Sequence, residues 1–340
     1  MSVYNILSEP FEVYGLADCS GDVYLRVPAS LVDRVNDRVS RQGRWTSGAG
    51  VRFRTDADKI KVRISSHMPR AMEKGNMISG HGVDVYFDGR FAGPVYPKTP
   101  AEETFEGEIS VPWYAAGEKI RDVRIYFPIS DGIKKMEIEL PDGAKLLPPT
   151  PFSVPSQVVF YGSSITMGLY ASRPGLHYIS QLSRALDFKP YCLGFGSGAH
   201  GELLMADYIA SLPMRVFVLD YDHNDDSADL AVRHEPFFKL IREKNPDLPI
   251  IMISRPDFER REDNRASRQV IINTYNNALA AGDRHVWFID GESFYGKTDR
   301  DLYTLDCVHP NDLGMTAMAN GILPVLREAL ADAAESEKRK

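Results

Sequence analysis

An alcohol, an imidazole and a carboxylate stand in two short segments far apart in the chain. The first is Tyr161-Gly162-Ser163-Ser164-Ile165-Thr166-Met167-Gly168, entered from the apolar run Gln157–Phe160; the second is Asp306-Cys307-Val308-His309. A β-branched and aromatic run closed by glycine and serine reads as a strand that stops at a tight turn into a helix. A serine on that turn is lifted clear of the sheet. Its hydroxyl is a weak nucleophile until a base takes the proton, and His309 is the base at hand. Asp306, three residues earlier on a tight loop, can accept from the other ring nitrogen, as an orienting acid must. On residue type alone both Ser163 and Ser164 are open as nucleophile. A tetrahedral oxyanion would need donors worth about 3–4 kcal/mol each. The backbone N–H groups of Gly194-Phe195-Gly196-Ser197-Gly198 and the side-chain amide of Asn224 suit that need. The chemistry of such a set is acyl transfer.

These groups need a scaffold that brings them to one place. From residue 157 onward, strand-like runs alternate with helical periodicity. Strands are predicted at 157–161, 189–195, 215–221, 249–254 and 285–290, and helices near 178–186, 201–210, 229–244, 265–281 and 313–334. Short buried strands joined by helical crossovers imply a doubly wound, five-stranded parallel sheet. Ligands of such sheets sit beyond the carboxyl ends of the strands. That edge is where Ser163 and Ser164, the Gly194–Gly198 loop, Asp222-His223-Asn224-Asp225, Arg255-Pro256-Asp257 and the Asp306–His309 loop all fall. His223 and Arg255 are therefore candidate substrate-binding residues, with an Arg255–Asp257 ion pair as the plainer role for the arginine. Consecutive residues such as Asp222, His223, Asp225 and Asp226 rarely converge on one ion, so no metal site is expected. Cys307 is expected to pack, and His200 and Glu202 to serve a helix start.

Residues 1–145 read differently. Val51–Thr55 and Ile60–Ile64 alternate apolar with basic or polar residues, the period of half-buried strands, and further strands are predicted at 22–27, 82–87, 106–111 and 122–127. A helix is expected only over 28–39. This half is expected to be an antiparallel β-sandwich. Leu146–Pro155 holds four prolines in ten residues, too many for a regular helix or central strand. The expected organisation is a β-sandwich domain over 1–148, a proline-rich linker over 149–156 and a catalytic domain over 157–340. The polar segments His67–Arg70 and Lys74–His81 could fold over the catalytic edge.

Bulk properties narrow the function classes. With 340 residues, 43% hydrophobic and 26% charged, the chain is globular rather than disordered. A formal charge of −7 argues against a nucleic-acid partner. No apolar run reaches the roughly 18 residues of a membrane span. Three widely spaced cysteines form neither a disulfide framework nor a metal motif. Residues 1–10 lack a basic n-region and an apolar h-region, so a cytoplasmic location is expected.

The motifs together resemble the four blocks of the SGNH (GDSL-type) hydrolases: Gly162-Ser163-Ser164-Ile165-Thr166, the glycine-rich second block, Asn224, and Asp306 with His309. Val158–Thr166, Ala171-Ser172-Arg173-Pro174-Gly175, Leu193-Gly194-Phe195, Tyr221–Asn224 and Val308–Gly314 are similar to its GSSIT branch. That branch carries an N-terminal β-domain named for a Gly-x-Asp-Leu-Tyr motif, which Gly82-Val83-Asp84-Val85-Tyr86 resembles with Val85 for leucine. The resemblance implies a flavodoxin-like SGNH catalytic domain behind a β-domain, Ser164 as nucleophile, His309 as base and Asp306 as acid. It also implies an oxyanion hole from Asn224 and a backbone N–H whose glycine falls in register on Ser197. A positive φ there would strain a serine. The expected activity is a serine esterase acting without cofactor on short acyl esters, acetyl first, of a carbohydrate or similarly polar substrate. Two alternatives stand beside it: an acyltransferase discharging the same acyl-enzyme onto an alcohol, and a carbohydrate-binding protein that has lost activity.

Overall fold

The alternation in Val51–Thr55 and Ile60–Ile64 builds the two facing sheets of the first half. The computed structural model describes residues 1–67, 76–99, 101–113, 120–257 and 262–338. One antiparallel sheet contains β1 (Ser2–Asn5), β4 (Lys59–Ser66), β7 (Thr104–Ser110) and β9 (Ile133–Leu140), in the order β1-β9-β4-β7. The other contains β3 (Gly50–Thr55), β5 (Val83–Phe87), β6 (Arg90–Val95), β8 (Arg121–Tyr126) and β10 (Leu146–Leu147), in the order β10-β3-β8-β5-β6, with β2 (Glu12–Tyr14) on β3. Ile60, Val62, Ile64, Met136 and Ile138 from the first sheet meet Val51, Phe53, Val85, Val123 and Ile125 from the second in one buried core. That is the expected sandwich.

The second half is the expected parallel sheet. Its strands are β11 (Val154–Gly162), β12 (Phe188–Gly194), β13 (Met214–Asp220), β14 (Ile250–Ile253) and β15 (Val286–Ile289), in the order β12-β11-β13-β14-β15. Alternate residues serve opposite faces. Val159, Tyr161, Phe217 and Leu219 pack toward α5 (Leu203–Ala210), α6 (Ser227–Lys244) and α7 (Glu262–Ala280). Val158, Phe160, Val216 and Val218 pack toward α4 (Tyr178–Leu186) and α8 (Asp312–Lys338). Among the described residues no helix is long and apolar enough to cross a membrane.

Several local expectations change. Residues 22–27 form no strand, only an Asp18–Leu25 bridge. Arg26 is fully buried there and turned toward the parallel sheet, which takes this stretch out of any ladder. The helix expected over 28–39 shrinks to α1 (Asp37–Gln42), because Asn36 caps it with its side chain on Val39 N and the chain before it only turns. The short helix α2 (Met77–His81) and the strands β1, β2, β6 and β9 lay outside the predicted set. Leu146–Leu147 pairs with β3, and β11 begins at Val154, inside the proline-rich stretch. Pro155 falls at the register irregularity between Val154 and Gln157, where the ladder does not need its missing N–H. Of the polar loop singled out in the first half, residues 68–75 lie outside the described residues.

Candidate active site

β11 stops at Gly162 because the next turn leaves no room for a side chain. A Cβ there would stand 2.0 Å from Thr166 Oγ1 and 2.2 Å from the Asp220 carbonyl. The chain then enters α3 (Ser164–Met167), capped by Ser163, whose hydroxyl accepts from Ile165 N at 3.2 Å. Ser163 is buried and committed to the cap. Ser164, the first helical residue, is partly exposed at the carboxyl edge of the sheet.

Ser164 Oγ lies 2.8 Å from His309 Nε2, and His309 Nδ1 lies 2.8 Å from Asp306 Oδ2. The carboxylate can only accept, so it holds the proton on Nδ1 and leaves the Nε2 lone pair facing the serine hydroxyl. Asp306 Oδ1 accepts from the N–H groups of His309 at 2.8 Å and Val308 at 3.1 Å. Partial burial pushes the Asp306 carboxyl up, yet the hydrogen bonds from His309 and Val308 outweigh it and hold the group below the usual carboxylate range. The intervening Cys307 is exposed with φ +65°, a backbone reversal that turns Asp306 and His309 toward each other. The Tyr170 ring meets the imidazole edge-on, centroids 5.2 Å apart.

The glycine-rich loop departs from expectation. Gly196 abuts Ser164: a side-chain carbon on it would lie 3.2 Å from Ser164 Cβ. Its N–H donates to Gln42 Oε1 at 2.7 Å, and its carbonyl accepts from Gln42 Nε2 at 2.9 Å. Ser197 has φ +51°, so the strained conformation is retained without a glycine. Its N–H donates to Asn224 Oδ1 at 3.0 Å, while Asn224 Nδ2 donates to the Phe195 and Ala199 carbonyls at 2.9 and 3.0 Å. Ser197 and Asn224, expected to aim donors at an oxyanion, are thus bonded to each other and to their own loop. Among the described residues the Ser164 N–H, first in its helix, has no protein partner, as helix geometry requires.

The other expected residues are brought near but tied down. Arg255 is buried, with Nε on Asp257 Oδ1 at 2.9 Å and Nη2 on His223 Nδ1 at 3.2 Å. It therefore fixes His223 rather than facing solvent. A guanidinium can only donate, so the His223 proton sits on Nε2, which is buried without a partner among the described residues. Burial, then the Arg255 charge, then His309 push the His223 imidazole well below its usual range, so it is neutral. Asp222 is pushed up to about 6 by burial. Among the described residues no group of histidine, cysteine and carboxylate side chains could hold a metal ion. A polar groove of about 830 Å³ opens beside the loop, lined by Asn36, Arg38, Ser197, His200, Asn224 and Asp225 among others. His200 does not start a helix: its Nδ1 lies 2.5 Å from Asp225 Oδ1, and that bond raises its pKa.

Gln42 and Arg26 were not expected at the site. Arg26 donates to the Cys192 and Gly194 carbonyls at 3.0 Å each and to the Gln42 carbonyl at 2.7 Å, with its guanidinium 4.9 Å from the Phe195 ring. One signal existed, an arginine inside the apolar run Val23–Val27; Gln42 carried none.

Residues 156–327 match the GDSL-like lipase/acylhydrolase family, and residues 1–146 match the family of N-termini of SGNH-hydrolase-type esterases. No curated protein matches the chain. Among solved structures, a GDSL-like lipase from Bacteroides ovatus ATCC 8483 is 25% identical with a TM-score of 0.85, over 97% of this chain and 98% of that one. A salicylyl-acyltransferase from a tetracycline biosynthetic pathway is 22% identical with a TM-score of 0.78, over 94% and 95%. An acetyl xylan esterase from Butyrivibrio proteoclasticus is 14% identical with a TM-score of 0.62, over 97% and 99%. The last two likenesses are likenesses of fold.

Proposed function

The chain belongs to the GDSL-like lipase/acylhydrolase family and is an ester hydrolase; from that premise we propose that it removes short acyl groups, acetyl first, from a carbohydrate or similarly polar alcohol. The observation that carries the reading is the relay from Ser164 Oγ through His309 to Asp306, two contacts of 2.8 Å each. In the proposed cycle Ser164 Oγ bonds to the ester carbonyl carbon as His309 Nε2 takes its proton. The oxyanion meets the Ser164 N–H, and the Ser197 N–H joins when its bond to Asn224 Oδ1 opens; the Asn224 amide, its two hydrogens held by the Phe195 and Ala199 carbonyls, supports the loop. The carbonyl re-forms, the C–O bond to the alcohol breaks, and His309 returns its proton to the leaving oxygen. Water then attacks the acyl-enzyme with His309 as base again, releasing the carboxylic acid and free serine.

The groove beside Ser197 and Asn224, lined by polar and charged side chains, supports a hydroxyl-rich alcohol. Buried His223, neutral and with its Nε2–H unpartnered among the described residues, is the donor nearest in character to a substrate-orienting group. Arg255 acts through it. On this reading the β-domain ends near residue 148, a short connector follows, and the part that carries the chemistry starts with β11 at Val154. The likeness to a salicylyl-acyltransferase keeps an alcohol acceptor in place of water as the second reading.

The test is Ser164→Ala. Turnover of p-nitrophenyl acetate should fall by about 10⁴-fold or more with the melting temperature kept, and a fluorophosphonate should label the parent but not the variant. Retained turnover would remove Ser164 from the mechanism. Absence of labelling in the folded parent would favour a binding protein. Product analysis with added alcohols separates hydrolysis from transfer.

A further inference from the structure

The Gly82–Tyr86 motif lies on the N-terminal sandwich, and the cycle above gives it no task. Its carboxylate, Asp84 on β5, is fully buried. Asp84 Oδ2 accepts from Arg173 Nη1 at 2.9 Å and from the Gly175 N–H at 2.8 Å. Tyr86 Oη accepts from the same Arg173 nitrogen at 2.7 Å, and the Arg173 guanidinium lies 3.7 Å from the centroid of Phe91. Gly175 is held so closely that a Cβ on it would stand 2.4 Å from Tyr86 Oη and 2.8 Å from Asp84 Oδ2. The motif thus grips one end of the segment Gly168–Leu176, which follows the nucleophile helix directly.

The segment also touches the nucleophile helix, the base and the elements around them. Leu169 N donates to the Ser164 carbonyl at 3.0 Å. Tyr170, at φ +71°, sets its ring edge-on to His309. Ser172 N donates to Asp312 Oδ1 at 2.7 Å, three residues past His309, and the Ser172 carbonyl accepts from Asn76 Nδ2 at 3.0 Å. A tyrosine in the left-handed region persists only where its surroundings over-determine it. Here the restraint comes from both sides: the nucleophile helix before it, and Asp84, Tyr86 and Asn76 of the sandwich after it.

We propose that Asp84 and Tyr86 are positioning residues of the N-terminal domain, acting through Arg173 and Tyr170 to seat His309 between Ser164 and Asp306. The inference rests on His309 being the base. Displacing a catalytic group by about 1 Å can cost 10²-fold in rate, so the sandwich sets turnover without touching substrate.

The experiment is a double-mutant cycle on kcat and KM for p-nitrophenyl acetate, with Asp84→Ala, Tyr170→Ala and the pair, each checked by thermal melting. Each single substitution should lower kcat about tenfold with KM within about twofold. The pair should lose no more kcat than the worse single one, because both break the same linkage. Asp84→Asn, which keeps an acceptor oxygen, should recover most of the turnover. Multiplicative losses, unchanged kcat, or loss carried by KM would each overturn the proposal. If Asp84→Ala does not fold, Tyr86→Phe replaces it in the cycle, with a loss of about threefold expected. His309→Ala is the control: activity there would sink the reading of the base, whereas an inactive His309→Ala beside wild-type Asp84→Ala would sink only the positioning role.

Discussion

Ser164, His309 and Asp306 are legible because each is defined by its own few neighbours. Gly162 forces the turn, Ser163 caps the helix, and Asp306 reaches His309 across two intervening residues, so the sequence neighbourhood already contains most of the geometry. Ser197 is legible in a different way. Its register falls where a positive φ is needed, and it adopts φ +51° with a side chain that should not be there. A left-handed L-residue costs about 1–2 kcal/mol, and a glycine loses about 0.5–1 kcal/mol of chain entropy in return. Ser197→Gly should therefore stabilise the protein by roughly 0.5 kcal/mol, read as a higher urea midpoint at unchanged slope. A lower midpoint would mean that the serine side chain makes contacts worth more than its strain. The bonding of Ser197 and Asn224 was the least legible part, because which way an amide points depends on partners from elsewhere in the chain.

At the level of elements, α1 is the clearest case of information that local pattern does not hold. Its six residues make a plain polar turn, yet its last residue pairs with both backbone groups of Gly196 beside Ser164. Nothing in Arg41-Gln42-Gly43 announces this, since the partner lies 154 residues downstream. Gln42 is buried, so removing its amide leaves an N–H and a carbonyl unsatisfied next to Ser164. Gln42→Ala should cost about 1–3 kcal/mol of stability and lower kcat about tenfold as the Gly196–Ser197 peptide loses its register. Gln42→Glu, which keeps the acceptor for the Gly196 N–H, should lie between the two. A Gln42→Ala enzyme with parental kcat and melting temperature would show that the loop holds itself. The strands β1, β2 and β6 were missed for a related reason. They are edge strands, selected by the partners that bury them, with weak alternation of their own. β9 is an interior strand whose Met136–Leu140 alternates, so its period was present in the sequence and was passed over.

For the whole molecule, the change of rhythm near residue 150 made two architectures legible, but not how deeply they interlock. Val27, Leu31, Val32 and Val39 join the core on one face of the parallel sheet, and Trp45 and Ile129 join the other. Such a body should unfold as one unit, and its acid stability then reports on groups buried anywhere in it. His234 of α6 is buried, with Nδ1 2.9 Å from Thr274 Oγ1 of α7 and its ring stacked on Tyr221, centroids 5.6 Å apart. Burial holds it down at about 3, and His177, equally buried, is also lowered to about 3. A depressed histidine is neutral in the fold but charges in the unfolded chain below about 6.5. Each therefore contributes stability that is complete above pH 6.5 and is lost as pH falls toward 3, at up to about 1.4 kcal/mol per pH unit. Asp222, pushed up to about 6 by burial, has the opposite sign, so the difference between parent and variant is the informative quantity. His234→Gln keeps a partner for Thr274 and cannot titrate. Urea unfolding between about pH 7 and pH 4.5 should show the parent losing stability more steeply than His234→Gln, the two slopes differing by close to one proton. Parallel slopes would mean that His234 is protonated in the folded state, and that the α6–α7 interface opens to water before the rest of the molecule gives way.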